Sequence, residues 1–173
     1  MHEYDTIAAV ITAQGIGAMG ALRISGPEAF AAAARVFRSK SGRSLARLGD
    51  YSLTFGHVYD GDELLDQALL LKMSGPKSYT GQDVAELQCH GGPLVLSRLL
   101  EAVIAAGARV AEPGEFSQRA FINGKLDLSQ AEAIMDLVSA SNRVSAAAAA
   151  DQLEGSLSRK IRELKDRLIG VLA

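Results

Sequence analysis

Tryptophan is absent from this 173-residue sequence, and aromatic residues make up only 5% of it. A packed core must therefore come from Ala, Leu, Val and Ile, and the 48% apolar content is ample for one, which excludes a disordered chain. A single cysteine excludes an internal disulfide, and no Cys/His zinc spacing occurs. No apolar run approaches the roughly 18 residues of a membrane-spanning helix. The opening MHEYD lacks the blocks of a signal peptide. These absences set the expectation of a soluble, cytoplasmic protein. A net charge of −2 gives no global pull on nucleic acid, so any such contact must come from a local patch. The length fits one domain, or one domain plus part of another.

What is present centres on Gly75 to Pro93, GPKSYTGQDVAELQCHGGP. Gly75-Pro76 and Thr80-Gly81 are turn punctuation. From Asp83 to His90 apolar and polar residues alternate, so Glu86, Gln88 and His90 share one face of a strand. Val84 and Glu86 then lie on the same side, which is compatible with burial of both only if Glu86 faces a pocket. Gly91-Gly92 ahead of a helix would let an anion approach backbone N–H groups. Glu86 offers a forked acceptor pair that suits a guanidine-like edge, such as the N3–H and 2-amino group of a pterin or guanine. Taken singly, a salt bridge at a sheet edge is the plainer reading of Glu86, and a structural histidine that of His90. Cys89 reads as a small apolar residue.

Taken in order, Asp5 to Thr12 reads as a buried strand and Ala21 to Ser25 as a second. The glycine-rich Gln14 to Gly20 between them nearly matches a dinucleotide fingerprint, but a strand follows where a helix is needed. Arg23, flanked by Leu22 and Ile24, faces away from them, either toward solvent or as a clamp for a carboxylate or phosphate. Pro27 suits the first position of a helix running to about Phe37, with Ser25 as a nearby cap. Arg35, Arg38, Lys40, Arg43 and Arg47 follow with no acid between Glu28 and Asp50, a solvated loop or a phosphate contact. Tyr51–Tyr59 and Leu64–Met73 read as a hairpin turning at Asp60-Gly61. Leu94–Ala106 is an amphipathic helix stopped by Gly107.

Beyond Ala111 a short helix over Glu115–Phe121 precedes the Asn123-Gly124 turn and Lys125. Asp127 and Gln130 form a capping box for the next helix. From Leu128 the pattern is helical throughout, with Ala131, Ile134, Leu137 and Val138 as one stripe and Leu157, Ile161, Leu164, Leu168 and Leu172 as another. Such a hairpin has no complete core of its own, and the end at Ala173 has no cap, which reads as a truncated chain or one awaiting a partner. No Ser-His-Asp triad, metal cluster or Walker A loop is legible, since Gly124-Lys125 lacks the upstream glycine and the following Ser/Thr. No catalytic residue is assigned.

Together DTIAAVIT, ALRISGP, GPKSYTGQDVAELQCHGGP, AEPGEFSQRAFINGKLDLSQAEAIMDLVSA and LEGSLS resemble the MnmE (TrmE) family of tRNA-modification GTPases, from Asp5 to about Ser158. The resemblance implies an α+β fold, a mixed β-sheet with flanking helices like that of tetrahydrofolate-binding aminomethyltransferase domains, followed by a partial helical bundle. It implies a folate-binding and dimerisation domain over residues 1–118 and the first helices of a helical domain over 119–173, without the G domain that holds GTP, magnesium and potassium. The family's folate contacts fall on Arg23, Glu86 and Lys125, with His90 and Arg119 as weaker candidates. The implied ligand is 5-formyltetrahydrofolate or a related tetrahydrofolate. The implied partners are a second copy of the chain, the flavin-dependent MnmG (GidA) subunit and tRNA, modified at carbon 5 of the wobble uridine. TAQGIGAMG departs from the family, whose loop is richer in Pro and carries an Arg after its first Gly. The alternatives are a stand-alone folate-dependent one-carbon transferase and a purely structural dimerisation module.

Overall fold

Alternation in the first two-thirds of the chain and helical spacing in the last third give two different kinds of structure. The computed structural model describes residues 5–172, with side-chain burial described through residue 170. The composition of MHEYD and the end at Ala173 therefore bear largely on positions outside the described residues. The chain divides into a first unit ending at Phe116 and a second beginning at Ser117.

The first unit is a seven-stranded mixed sheet, ordered β3-β4-β5-β6-β2-β1-β7. Its strands are β1 (Ile7–Val10), β2 (Gly17–Ser25), β3 (Phe37–Ser39), β4 (Ser52–Asp60), β5 (Glu63–Met73), β6 (Val84–Gly91) and β7 (Arg109–Val110). Neighbours run antiparallel except β1 and β7, which are parallel. One face carries Leu22, Ile24, Val58, Leu70, Ala85, Leu87 and Cys89. Helices α1 (Ala29–Val36) and α2 (Pro93–Ala105) cover it with Ala29, Ala33, Leu99 and Val103, all fully buried. Small alanines on α1 let helix and sheet approach closely, which is how a core almost without large aromatics reaches interior packing density.

Several local expectations change. The glycine segment is not all loop: β2 begins at Gly17, with a register irregularity before Gly20. α1 starts two residues later than Pro27 suggests, and Ser25 does not cap it. The Ser25 hydroxyl is buried 2.7 Å from Thr80 Oγ1, and Thr6 Oγ1 accepts the Glu28 N–H instead. Phe37 leaves the helix to open β3. The basic run is dispersed: Arg35 donates to the Ala106 carbonyl at 2.7 Å, and Arg38 reaches Asp62 at 3.3 Å.

The second unit holds the rest of α3 (Glu115–Ile122), then α4 (Leu128–Ser139), α5 (Arg143–Leu153) and α6 (Ser156–Leu172). Asp127 and Gln130 make the full reciprocal capping box on α4. Asn142 caps α5, and Gly155, at φ +78°, separates α5 from α6. α4 and α5 each bury one alanine, Ala133 and Ala149. The expected α4 stripe is only partly covered: Ala131 and Ile134 are half-buried, whereas Val138 is 79% exposed and Leu137 is exposed as well. The α6 stripe is likewise open, with Leu157, Ile161, Leu164 and Leu168 all exposed. No described helix is long and apolar enough to cross a membrane.

Candidate functional site

The second face of the sheet carries the candidate residues Arg23 and Glu86. Antiparallel register sets Arg23 on β2 opposite Glu86 on β6, so two side chains far apart in sequence project side by side. Arg23 Nε donates to Glu86 Oε1 at 2.7 Å. The bond engages one nitrogen of the guanidinium and one oxygen of the carboxylate. The arginine side chain keeps 20% of its exposure and the glutamate 12%. The guanidinium carbon lies 4.8 Å from the Tyr79 ring centroid and 5.4 Å from that of Phe116. Two aromatic faces thus flank a cation, a contact suited to partly desolvated sites.

The 75–83 segment folds over this end of the face, with Thr80 against Ser25 and Tyr79 over Arg23. Gly75-Pro76 is cis, Gly75 N–H donates to Asp83 Oδ1 at 3.0 Å, and the Ser78 hydroxyl donates to the Gln82 carbonyl. Val84 is fully buried and Glu86 nearly so on the same face, the carboxylate being covered by its bond to Arg23, whose guanidinium lies beneath Tyr79. Tyr79 and Phe116 lie within the family-like stretches GPKSYTGQ and AEPGEFSQ, but no spacing or charge pattern singles them out. The only signal for them is their place in SYTG and PGEF, beside turns that fold toward the strand ends.

His90 shares the strand face of Glu86 but lies four residues on, about 13 Å along a strand. Its ring is tied to β5, with Nδ1 2.8 and 2.9 Å from the two oxygens of Asp66, and its own N–H donates to Asp66 Oδ2 at 2.8 Å. Burial is the strongest single influence on the Asp66 carboxyl and pushes it up. The hydrogen bonds from the His90 and Gln67 N–H groups and the His90 ring outweigh it and hold the carboxyl below its ordinary value. Burial, helped by the charge of Asp66, pushes the neighbouring Cys89 thiol up to about 11, in keeping with a packing role.

The anion nest expected at Gly91-Gly92 has a different explanation. A Cβ on Gly91 would lie 2.6 Å from the Gly17 carbonyl oxygen and 2.7 Å from that of Met19. Gly91 is there because β2 passes against it. Gly92 is the N-cap of α2 and Pro93, at the first position, has no N–H to offer.

Arg119 and Lys125 belong to the second unit. Arg119 is buried in the last turn of α3. Lys125 N–H donates to the Ala120 carbonyl at 2.8 Å and Gly124 N–H to that of Phe121 at 3.0 Å. With Gly124 at φ +68° this is a Schellman ending, which exposes the Lys125 side chain just past the helix. Among the described residues no group of three or more His, Cys, Asp or Glu could hold a metal ion.

These features define a mixed-sheet α+β domain with a carboxylate–guanidinium pair under aromatic cover, joined to a helical unit. A family model described as the GTP-binding protein TrmE N-terminus matches residues 6–125, and one described as the MnmE helical domain matches residues 128–173. The chain belongs to the MnmE (TrmE) family. It is 47% identical over 169 residues to the tRNA modification GTPase MnmE of Clostridioides difficile, covering 98% of this chain and 37% of that protein. The corresponding proteins of Acetivibrio thermocellus and Symbiobacterium thermophilum are 48% identical over 175 residues and 50% over 170. Those matches cover 100% and 98% of this chain but 38% and 37% of the relatives. The chain thus spans well under half the length of these curated relatives.

Proposed function

We propose that this chain is the folate-binding, self-associating part of a GTPase that modifies tRNA at carbon 5 of the wobble uridine, together with a flavin-dependent partner of the MnmG type. Family membership and the tRNA-modification GTPase activity for which the relatives are named support the tRNA and GTPase parts of this reading. GTP, magnesium and potassium are assigned to the part of the relatives that this chain does not span. The observation that carries the folate assignment is the Arg23–Glu86 pair beneath Tyr79 and Phe116.

The residues fit the ligand's chemistry. A pterin is a flat ring with a guanidine-like edge, and Glu86 supplies two acceptor oxygens for it beside aromatic faces. Arg23 already occupies the place such an edge would take on Oε1, so it acts as an internal stand-in that a ligand displaces. The freed guanidinium then serves the ligand's carboxylate tail or formyl oxygen, as Lys125 does in the same reading. His90 and Arg119 remain weaker candidates, and the Asp66 contact of His90 argues for a structural task. When bound, the tetrahydrofolate would supply a one-carbon unit. Ile16 just before β2 and Met19 within it, 95% and 59% exposed, support self-association.

Calorimetric titration with 5-formyltetrahydrofolate tests this, wild type beside Glu86→Ala. Saturable binding abolished by the substitution is the expected result. Equal binding by both proteins removes Glu86 as the anchor, and no binding by a folded wild-type chain overturns the folate assignment.

A further inference from the structure

The basic run lies beside a second feature on the open sheet face, where Phe55 also borders a depression lined by Met19 and Leu69. β4 sets Leu53, Phe55, His57 and Tyr59 on the sheet face that α1 and α2 leave uncovered, and β3 is the edge strand beside it. Phe55 is 40% exposed, and its ring lies 5.9 Å from that of His57. Each outer aromatic has its own cation from the basic run: Lys40 Nζ is 5.6 Å from the Phe55 centroid and the Arg38 guanidinium carbon 4.2 Å from that of Tyr59. Next to Phe55 an open cleft of about 460 Å³ is lined by Lys40, Ser41, Arg43, Leu53, Thr54 and Phe55. That lining holds two cations and no acid. Neither Lys40 nor Arg43 forms an ion pair among the described residues.

Basic residues interleaved with exposed aromatics along a sheet face have the chemistry of a single-strand nucleic-acid platform. Bases stack on the rings, and cations track the backbone. Side chains two residues apart on a strand are about 6.6 Å apart, a spacing close to that of successive nucleotides in an extended strand. A purely apolar occupant would leave the two cations desolvated and unpaired, which is costly. We infer that the Phe55 cleft with the β3 edge binds a single-stranded RNA segment, one base on Phe55 and its phosphate between Lys40 and Arg43. The choice of RNA rests on the tRNA reading above. The site itself does not involve Glu86, so folate titration and RNA titration fail independently.

The test is fluorescence anisotropy of this chain with a labelled mixed-sequence single-stranded RNA oligonucleotide at several salt concentrations. A DNA of the same sequence and free adenosine monophosphate serve as competitors, with sedimentation run alongside. Lys40→Glu with Arg43→Glu should weaken binding at least about tenfold and lower the salt slope by about 0.7, the value for one phosphate contact on a single strand. Phe55→Ala should weaken it about fivefold or more, and Phe55→Tyr should not. Lys160→Glu with Lys165→Glu on α6, a matched charge change, should have no effect. No RNA binding by the wild type at low salt overturns the inference, as does unchanged affinity in the Lys40/Arg43 and Phe55→Ala variants. Competition by adenosine monophosphate or DNA as effective as by the RNA overturns it too. So does a Phe55→Ala change in self-association that leaves RNA affinity unchanged, which would make this face an interface between copies.

Discussion

Arg23 and Glu86 are register partners on adjacent antiparallel strands, joined by a 2.7 Å Nε–Oε1 bond under two aromatic rings. Because both side chains are largely covered, losing one strands the other. Glu86→Ala should lower stability by about 1–3 kcal/mol, the cost of an unsatisfied group in a partly buried site. Replacing both, as Arg23→Met with Glu86→Leu, should recover most of it, since apolar pairs often match buried ion pairs. Urea midpoints of the three proteins give the comparison. A pair kept for ligand binding should therefore be dispensable for folding.

Gly91 and Gly92 are adjacent but differ in what surrounds them. Gly91→Ala places a methyl against two backbone carbonyls and should cost about 1–3 kcal/mol by overpacking. Gly92→Ala meets only the Val95 side chain at 3.8 Å and should be close to neutral. Thermal melts of the two variants decide between strand packing and an anion nest; equal, small effects would contradict strand packing.

The Asp66 and Asp127 carboxyls both titrate below their ordinary value of 3.8 in the folded chain. For Asp127 the main cause is the hydroxyl donated by Ser158, followed by the Gln130 N–H. The unfolded chain takes up these protons first as pH falls. Their stabilisation is thus complete above the ordinary value and is lost through and below it. Asp66→Asn and Asp127→Asn should each flatten the acid limb of a stability-against-pH curve, measured by denaturant midpoints from neutral pH downward. Asp127→Ala should further cost about 1 kcal/mol as a lost N-cap.

Cys89 should be slow toward thiol reagents in the folded chain at about pH 8, where a thiol raised to about 11 is almost wholly protonated. Denaturant should accelerate the reaction sharply. Fast reaction in the native state would contradict its burial.

Period-two alternation already placed Glu86, Gln88 and His90 on one face, because strand geometry is local. The Arg23–Glu86 bond was not legible, since it joins residues 63 apart and depends on which strand lies beside β6. Ser25 misled for a related reason: a serine before a proline suits a cap, but Thr80, brought in by the 75–83 fold, takes its hydroxyl. Asp127 and Gln130 were legible because a capping box is complete within four residues. The stripes on α4 and α6 are helical, as their spacing predicts. Amphipathicity names a face without naming its partner, and in this chain those faces stay largely exposed.

The most direct measurement of the central claim is a double-mutant cycle between ligand and residue. 5-Formyltetrahydrofolate and its analogue lacking the 2-amino group are titrated calorimetrically into wild type and Glu86→Gln. If Glu86 grips the pterin edge, the analogue loses about tenfold or more in affinity on the wild type, as expected for a charged hydrogen bond, and little on the variant. Equal losses on both proteins would contradict the account and place the pterin edge elsewhere.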